Sequence, residues 1–355
     1  MARSAAFSFS NRNIYTTYIF TMNALQAIYY AAFKWKRQRT LNRRGRLTHP
    51  VVSIGNITVG GTGKTPAVIA LAQEAQRRGC NPVILTRGYK GTLKGPCFVS
   101  RGAGPVMGAK EGGDEPVLMA TRLHGVEIIK SSNRYEAGLM SERGDFFILD
   151  DGFQHWGLYR DVDIVLIDSI NPFGGGGLLP TGRLREPIEA LNRADFIVMT
   201  KMTRPMKEHA AGYKINSITI PPPRRSAFIY GASHAPSQLI GIDGAAYPLS
   251  HVSGRLVMAF SAIGNPEGFH RTLASLGAVI VHKMQFKDHH YYTEADAAKI
   301  LKGAAAHKSE MIITTEKDMA KLPNSMTGVL ALCIELDIDA DFYREIFNLA
   351  ISKKI

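Results

Sequence analysis

Fifteen residues, Val52-Ser53-Ile54-Gly55-Asn56-Ile57-Thr58-Val59-Gly60-Gly61-Thr62-Gly63-Lys64-Thr65-Pro66, carry the plainest chemistry in the chain. An apolar run leads into a glycine-rich turn and then a helix start. In that order, successive backbone N–H groups converge on phosphate oxygens at a helix N-terminus, where the dipole adds attraction. Lys64 then reaches the β/γ-phosphates and the Thr65 hydroxyl is placed to ligate Mg²⁺. Pro66 is tolerated because an N–H in the first helical turn has no intrahelical partner. The loop departs from G-x-x-x-x-G-K-[ST] at one position, Thr58, where that pattern has glycine.

Phosphoryl transfer also needs an acid that holds the metal and a group that orients the nucleophile. Phe146-Phe147-Ile148-Leu149-Asp150-Asp151-Gly152 is an apolar strand ending in paired carboxylates, which beside a phosphate-binding loop points to Mg²⁺. Alone, such a pair reads equally as a turn or helix cap. Gly113-Asp114-Glu115-Pro116 is a second candidate, with Asp114 either an N-cap or a base. Phe286-Lys287-Asp288-His289-His290-Tyr291-Tyr292 gathers an acid, two imidazoles and two aromatics, without the cysteines that would support metal ligation. Arg183, Arg185 and Glu186 follow the glycine run 174–177. The arginines could meet phosphate on a substrate or form surface ion pairs.

The elements that position these residues follow from pattern. Strand-like runs are Val51–Ile54, Pro82–Thr86, Val126–Lys130, Phe146–Asp150, Asp163–Asp168 and Phe196–Thr200, with helices expected at Thr65–Arg78, Glu115–Leu123 and Arg134–Arg143. Strands alternating with helices imply βαβ units and a mostly parallel sheet covered on both faces, an α/β fold of the P-loop NTPase type. Pro221-Pro222-Pro223-Arg224-Arg225 breaks the pattern and marks a linker. Beyond it, Leu256–Ser261, Pro266–Leu276, Val279–Val281, Glu294–Ala306 and Met311–Thr315 predict a smaller α/β domain. The expected organisation is an N-terminal segment at 1–48, a kinase-like core at 49–222 and a smaller domain at 223–355, with the last helix packing back on the core.

The chain has 355 residues, 45% apolar and 21% charged, which suits about two globular domains rather than a disordered or fibrous chain. Three cysteines (Cys80, Cys97 and Cys333) form no C-x-x-C pair and point to a reducing compartment. The net charge of +13 is localised: residues 1–73 carry ten basic and no acidic side chains, leaving +3 for the rest. That favours an anionic surface met at one end of the molecule over a nucleic-acid footprint across the fold. Residues 13–33 are uncharged, a span of about 31 Å as a helix, close to a bilayer's hydrocarbon core. Seven Lys/Arg follow at 34–46, as expected of a cytoplasmic flank facing anionic headgroups. Thr16, Thr17, Thr21, Asn23 and Gln26 interrupt this span, so spanning and surface-lying readings both stand.

In combination these motifs resemble the tetraacyldisaccharide 4′-kinase family, the lipid A 4′-kinases of Gram-negative bacteria. The resemblance rests on Gly55-Asn56 through Lys64-Thr65-Pro66, Leu85-Thr86-Arg87-Gly88-Tyr89, Gly113-Asp114-Glu115-Pro116 and Asp150-Asp151-Gly152-Phe153-Gln154-His155. It continues through Leu184-Arg185-Glu186-Pro187, Asp288-His289 and Thr315-Glu316-Lys317-Asp318. It implies ATP-dependent phosphorylation of the 4′-hydroxyl of a tetraacyldisaccharide 1-phosphate to lipid IV-A, at the cytoplasmic face of the inner membrane. It further implies nucleotide contacts at Asn56, Thr58, Val59, Gly60, Gly61, Thr62, Gly63, Lys64, Thr65 and Gln154, and Mg²⁺ at Thr65, Asp150 and Asp151. Asp114 would be the catalytic base in a dyad with the histidine of the Asp-His motif, His289 or the adjacent His290, with Lys64, Arg134 and Glu186 as further catalytic positions and His155 as another functional one. The family's loop usually carries threonine at the position of Thr58. The expected partners are the lipid substrate and an anionic membrane surface, with no nucleic acid and no obligate protein partner. The alternative from another class is a P-loop GTPase or metal-chaperone-like switch, which also combines Gly-rich Lys-Thr loops with carboxylates.

Overall fold

The computed structural model describes residues 22–352 except 90, 216, 217, 227 and 324. Apolar runs bounded by glycine and polar residues form the first strands, in chain order after helix α1 (Ala24–Leu41): β1 (Val51–Gly55), β2 (Pro82–Thr86), β3 (Cys97–Arg101), β4 (Glu127–Lys130), β5 (Phe146–Asp150), β6 (Val162–Asp168) and β7 (Phe196–Met202). Between them lie α2 (Lys64–Arg77), α3 (Ala109–Gly112), α4 (Asp114–Arg122) and α5 (Arg134–Leu139). Then come β8 (Met206–His209), the short pair β9 (Lys214–Ile215) and β10 (Ile218–Thr219), β11 (Phe228–Gly241) and β12 (Ala246–Tyr247). The C-terminal part comprises β13 (Leu256–Ser261), α6 (Pro266–Ser275), β14 (Val279–Gln285), α7 (Glu294–Ala306), β15 (Met311–Thr315), α8 (Glu316–Met319), β16 (Val329–Ile338) and α9 (Ala340–Ser352).

The long sheet runs β14-β13-β15-β16-β11-β7-β6-β1-β5-β2-β4-β3, with β8 and β12 attached to β11. Pairing along this path is parallel except at β16–β11 and β4–β3. β1 lies between β5 and β6, with Ile54 opposite Asp150 and Gly55 opposite Val165. The glycine loop after β1 and the carboxylates closing β5 therefore leave the sheet side by side at its carboxyl edge, where open α/β sheets bind ligands.

Two long strands, β11 and β16, lie outside the runs expected above, and they join the two parts of the sheet. β11 pairs in parallel with β7 early in its course and antiparallel with β16 over most of its length. Its sequence disguises it, because Pro236 removes a ladder donor; the register shifts between Pro236 and Gln238, the bulge that accommodates such a residue. The expected boundary at 222/223 falls between β10 and β11.

Successive side chains of each strand face opposite layers. Val52, Ile54 and Ile148 pack with α2, α4 and α9 in one cluster, while Val51, Phe147 and Leu149 pack with Ala137 of α5 in another. α9 crosses from the C-terminal part to cover the first: Phe347 stacks on Phe146 at 4.8 Å, and Arg78 lies 4.5 Å over the Phe347 ring.

α1 starts with a capping box in which Asn23 and Gln26 exchange side-chain and backbone hydrogen bonds. Gln26 is buried and donates to the Leu178 carbonyl and Thr181 Oγ1; Tyr29 Oη donates to the Arg185 carbonyl; Phe33 sets its edge on Trp156 at 4.9 Å. Asn23 and Gln26, two of the polar residues that interrupt the uncharged span, thus help dock this helix on the body. Leu25, Ile28 and Trp35 face outward, 57%, 67% and 65% exposed. Residues 13–21 of that span lie outside the described residues, and among the described ones no helix is long and apolar enough to cross a membrane.

Phe347 is 2% exposed, so Phe347→Ala should lower the unfolding free energy by about 3–4 kcal/mol. Urea denaturation checks this, and an unchanged midpoint would detach α9 from the core of the first strands.

Candidate active site

The loop after β1 is shaped by conformations only glycine adopts easily. Gly63 caps α2 at φ 82°, and a side chain there would come within 2.5 Å of His234 Nε2. Gly60 stands at φ 127°, and its added Cβ would meet Arg183 Nη2 at 2.7 Å. One wall is residues 183–185. The Val59 N–H donates to the Arg183 carbonyl, Arg183 Nη2 donates back to the Val59 carbonyl, and the Arg185 N–H donates to the Ile57 carbonyl. Asn56 Nδ2 bonds the Thr58 carbonyl from within, and Thr200 Oγ1 bonds the Thr62 carbonyl from β7. Thr58 forms an isolated β-bridge with Leu184, extended backbone that any residue adopts, so glycine is not required there.

The paired carboxylates behave differently. Asp150 accepts a hydrogen bond from Thr86 Oγ1 at 2.8 Å on neighbouring β2. Burial, then the adjacent charge of Asp151, pushes its carboxyl up to about 6. For Asp151 burial acts upward too, but Lys64, 3.6 Å away, and Arg185, at 2.8 Å and 2.9 Å to its two oxygens, win and hold it below the usual range. Asp151 also sits in left-handed backbone at φ 49°, strain of the kind stored at functional sites. Arg185 continues to Gln154 Oε1, Gln154 Nε2 bonds Glu186 Oε1 at 2.8 Å, and Arg193 grips both Glu186 oxygens at 2.6 Å. Glu186 is 2% exposed with both oxygens engaged, so it anchors this chain of contacts. Arg134, at the start of α5, is buried and held down to about 10 by burial, within electrostatic range of both aspartates. Its Nη1 lies 3.5 Å from His155 Nδ1; burial, then Arg134, drives that imidazole to about 3, so it stays neutral.

Asp150, Asp151 and Thr65, the residues expected to hold Mg²⁺, offer oxygen donors only. Among the described residues, no group of three or more His, Cys, Asp or Glu is arranged to hold a metal ion. Two carboxylates completed by a phosphate chain is the pattern Mg²⁺ uses, and a carboxylate pushed up by burial and by its neighbour is one that a cation relieves. These residues fit the ion.

A second cluster joins residues from both parts of the chain. Asp114, the first residue of α4, is 1% exposed. His289 Nδ1 donates to its Oδ2 at 2.9 Å and Tyr291 Oη to its Oδ1 at 2.9 Å. Burial, then this contact with Asp114, pushes the Tyr291 hydroxyl up to about 12. His289 stands at φ 65°, its N–H held by the Ala262 carbonyl just after β13. His290 instead contacts Asp296 at 3.0 Å, in the capping box of α7, so the adjacent imidazoles have separate partners. Lys317 pairs with Glu115 at 2.8 Å and Arg122 with Glu316 at 2.6 Å, tying α4 to α8.

The family model described as tetraacyldisaccharide-1-P 4′-kinase matches residues 18–353. The chain belongs to this family. It is 45% identical over 307 residues to the tetraacyldisaccharide 4′-kinase of Syntrophus aciditrophicus (strain SB), covering 83% of this chain and 81% of that one. It is 38% identical over 318 residues to the one of Halothermothrix orenii, covering 85% and 83%. A crystal structure of LpxK from Aquifex aeolicus in complex with ATP superposes with a TM-score of 0.71 at 28% identity, covering 92% of this chain and 97% of that one. The family's fold is thus the one described here, a mostly parallel sheet flanked by helices.

Several residues of this candidate site were not singled out by spacing. Arg193 lies seven positions after Glu186, and Tyr291 two after His289, both within short reach of a motif. His234, against Gly63, comes from β11, whose strand character was itself hidden. Thr86 lay inside a motif without a role until β2 paired with β5.

Because the folded carboxyl of Asp150 lies above its unfolded value, its protonated form favours folding. The stability it contributes is present below about pH 4 and is lost as pH rises through about 6. Asp150→Asn should therefore raise the melting temperature at pH 7.5 by about 2 °C or more, a gap that narrows toward pH 4. Calorimetry at the two pH values measures it, and an equal or lower midpoint at pH 7.5 counts against the strained carboxylate.

Proposed function

We propose that the chain transfers the γ-phosphoryl group of ATP to the 4′-hydroxyl of a tetraacyldisaccharide 1-phosphate, forming lipid IV-A. The observation that carries this reading is the Asp114–His289 contact, a base-like pair built from both parts of the chain of a family member that also has the glycine loop and Lys64. Residues 49–222 and 223–355 act as the two lobes around the site.

The loop from Asn56 to Thr65 receives the phosphates through its N–H groups, with Lys64 balancing charge on the β- and γ-phosphoryl oxygens. Mg²⁺, held through Thr65, Asp150 and Asp151, would supply charge neutralisation there when bound. Asp114 accepts the proton of the 4′-hydroxyl as its oxygen forms the new bond to γ-phosphorus and the bond to the β,γ-bridging oxygen breaks toward ADP. His289 and Tyr291 hold the carboxylate in place. Glu186, through Gln154 and Arg185, keeps Asp151 oriented, and Arg134 sets the positive field behind both aspartates.

α1 supports a membrane-surface reading. Its outward Leu25, Ile28 and Trp35 lie next to Lys34, Lys36, Arg37 and Arg39, an apolar face with a basic flank suited to the anionic cytoplasmic leaflet of an inner membrane. Arg44 and Arg46 stack on Tyr159, 4.6 and 4.5 Å from its centroid, tying the end of that flank to the body.

Transfer of label from γ-³²P-ATP to detergent-dispersed disaccharide 1-phosphate lipid, with GTP and no-lipid controls, tests the reading. Lys64→Ala and Asp114→Ala should each lower kcat about 100-fold or more with the fold retained. Near-normal turnover in both would overturn the site. Nucleotide hydrolysis without any lipid product would instead favour a P-loop switch.

A further inference from the structure

Lys321 carries a charge that the chemistry above does not use. Its side chain is 0% exposed, two residues beyond the end of α8, and an ammonium survives such burial only when paired. The described acceptors around it are Asp318 Oδ1 at 3.0 Å and Asp114 Oδ2 at 3.9 Å, with the Tyr292 ring 5.9 Å away. Asp318, itself fully buried, is pinned through its other oxygen, which accepts from the Ala262 N–H at 3.0 Å and from Thr315 Oγ1 at 2.7 Å. Ala262 is also the residue whose carbonyl holds the His289 backbone.

We propose that Lys321 is a positioning residue of the dyad: anchored by Asp318 and facing Asp114 Oδ2, its buried ammonium sets a compensating charge against that carboxylate and keeps it turned toward His289. This deepens the assignment of Asp114 as base and rests on it. The anchoring sets a compromise. A direct ammonium contact would compete with the proton that Asp114 has to accept, whereas an ammonium 3.9 Å away stabilises the charge without occupying the lone pair. Asp318 draws Lys321 back to that distance and offsets part of its field.

The charged and titratable groups facing this carboxylate come from each packed element. His289 and Tyr291 come from the loop before α7, and Lys321 follows α8. Lys317 and Asp288 bracket His289 Nε2 at 3.5 and 3.9 Å, and Glu115 on α4 is neutralised by Lys317. Among these, Lys321 is the cation beside Asp114 whose side chain has no exposed surface.

The test is the pH dependence of kcat/KM for lipid phosphorylation by the full chain and three variants, each checked by circular dichroism and melting temperature. Lys321→Met should move the acid-side midpoint up by about one pH unit or more. Asp318→Asn keeps the carbonyl that Ala262 and Thr315 bond but removes the offsetting charge, and should move the midpoint down. Opposite signs are the signature, because damaged packing lowers activity without steering the midpoint, and one folded variant suffices to read its sign. Midpoints that coincide with the parent's, whatever activity is lost, overturn the role of Lys321. Asp114→Asn separates the two readings: if it is inactive while the midpoints stay fixed, the base stands and the positioning role falls. If it turns over normally, both fall.

Discussion

The parallel pairing of β1 with β5 is the constraint on which the site depends. Ile54 lies opposite Asp150, so the strand that feeds the phosphate loop and the strand that ends in two carboxylates stop at the same level. A shift by one residue would turn each strand's side chains to the other face and carry Asp150 away from Thr86. Both strands are buried on both faces, and their alternate residues fill two different clusters, so the register is held from either side. Apolar packing thereby fixes charged groups that would not hold each other in place.

Those charges are costly to keep together. Asp150 and Asp151 are adjacent carboxylates, one pushed toward its neutral form by burial and the other kept ionised by Lys64 and Arg185. The contacts from Arg185 through Gln154 to Glu186 and Arg193 extend that balance to an ion pair whose carboxylate is buried with both oxygens engaged. Such networks add little net stability but strongly penalise any rearrangement that leaves one member alone. Here they fix the orientation of an anionic pair beside a loop made to receive anions. The strained backbone at Asp151 and at His289 fits the same pattern, since unfavourable conformations persist only where surrounding contacts determine them.

The dyad depends on a different kind of connection. β11 belongs to both parts of the sheet, and α9 returns from the C-terminal part to cover the strands of the first. The Arg122–Glu316 and Lys317–Glu115 pairs then bind the helix that carries Asp114 to the segment next to His289. α1 is attached by similar means, through Gln26, Tyr29 and Phe33, which leaves its other side apolar and its end basic.

What the sequence determined by itself was local: the glycine loop with Lys64 and Thr65, the apolar run ending at Asp150-Asp151, most strands and helices, and the concentration of positive charge before Glu74. Each is a matter of spacing within some fifteen residues, where backbone conformation and side-chain periodicity act directly. Only the tertiary structure decided which of two adjacent imidazoles meets Asp114, because that contact joins positions 175 residues apart and depends on sheet order. It also decided that Glu186 is gripped by Arg193, that Asn23 and Gln26 dock a helix instead of spoiling one, and that Pro236 lies within a strand. Polar residues read alike in a sequence wherever they lie. Burial and the choice of partner separate an exposed lysine from Lys321, and both are properties of the packed chain.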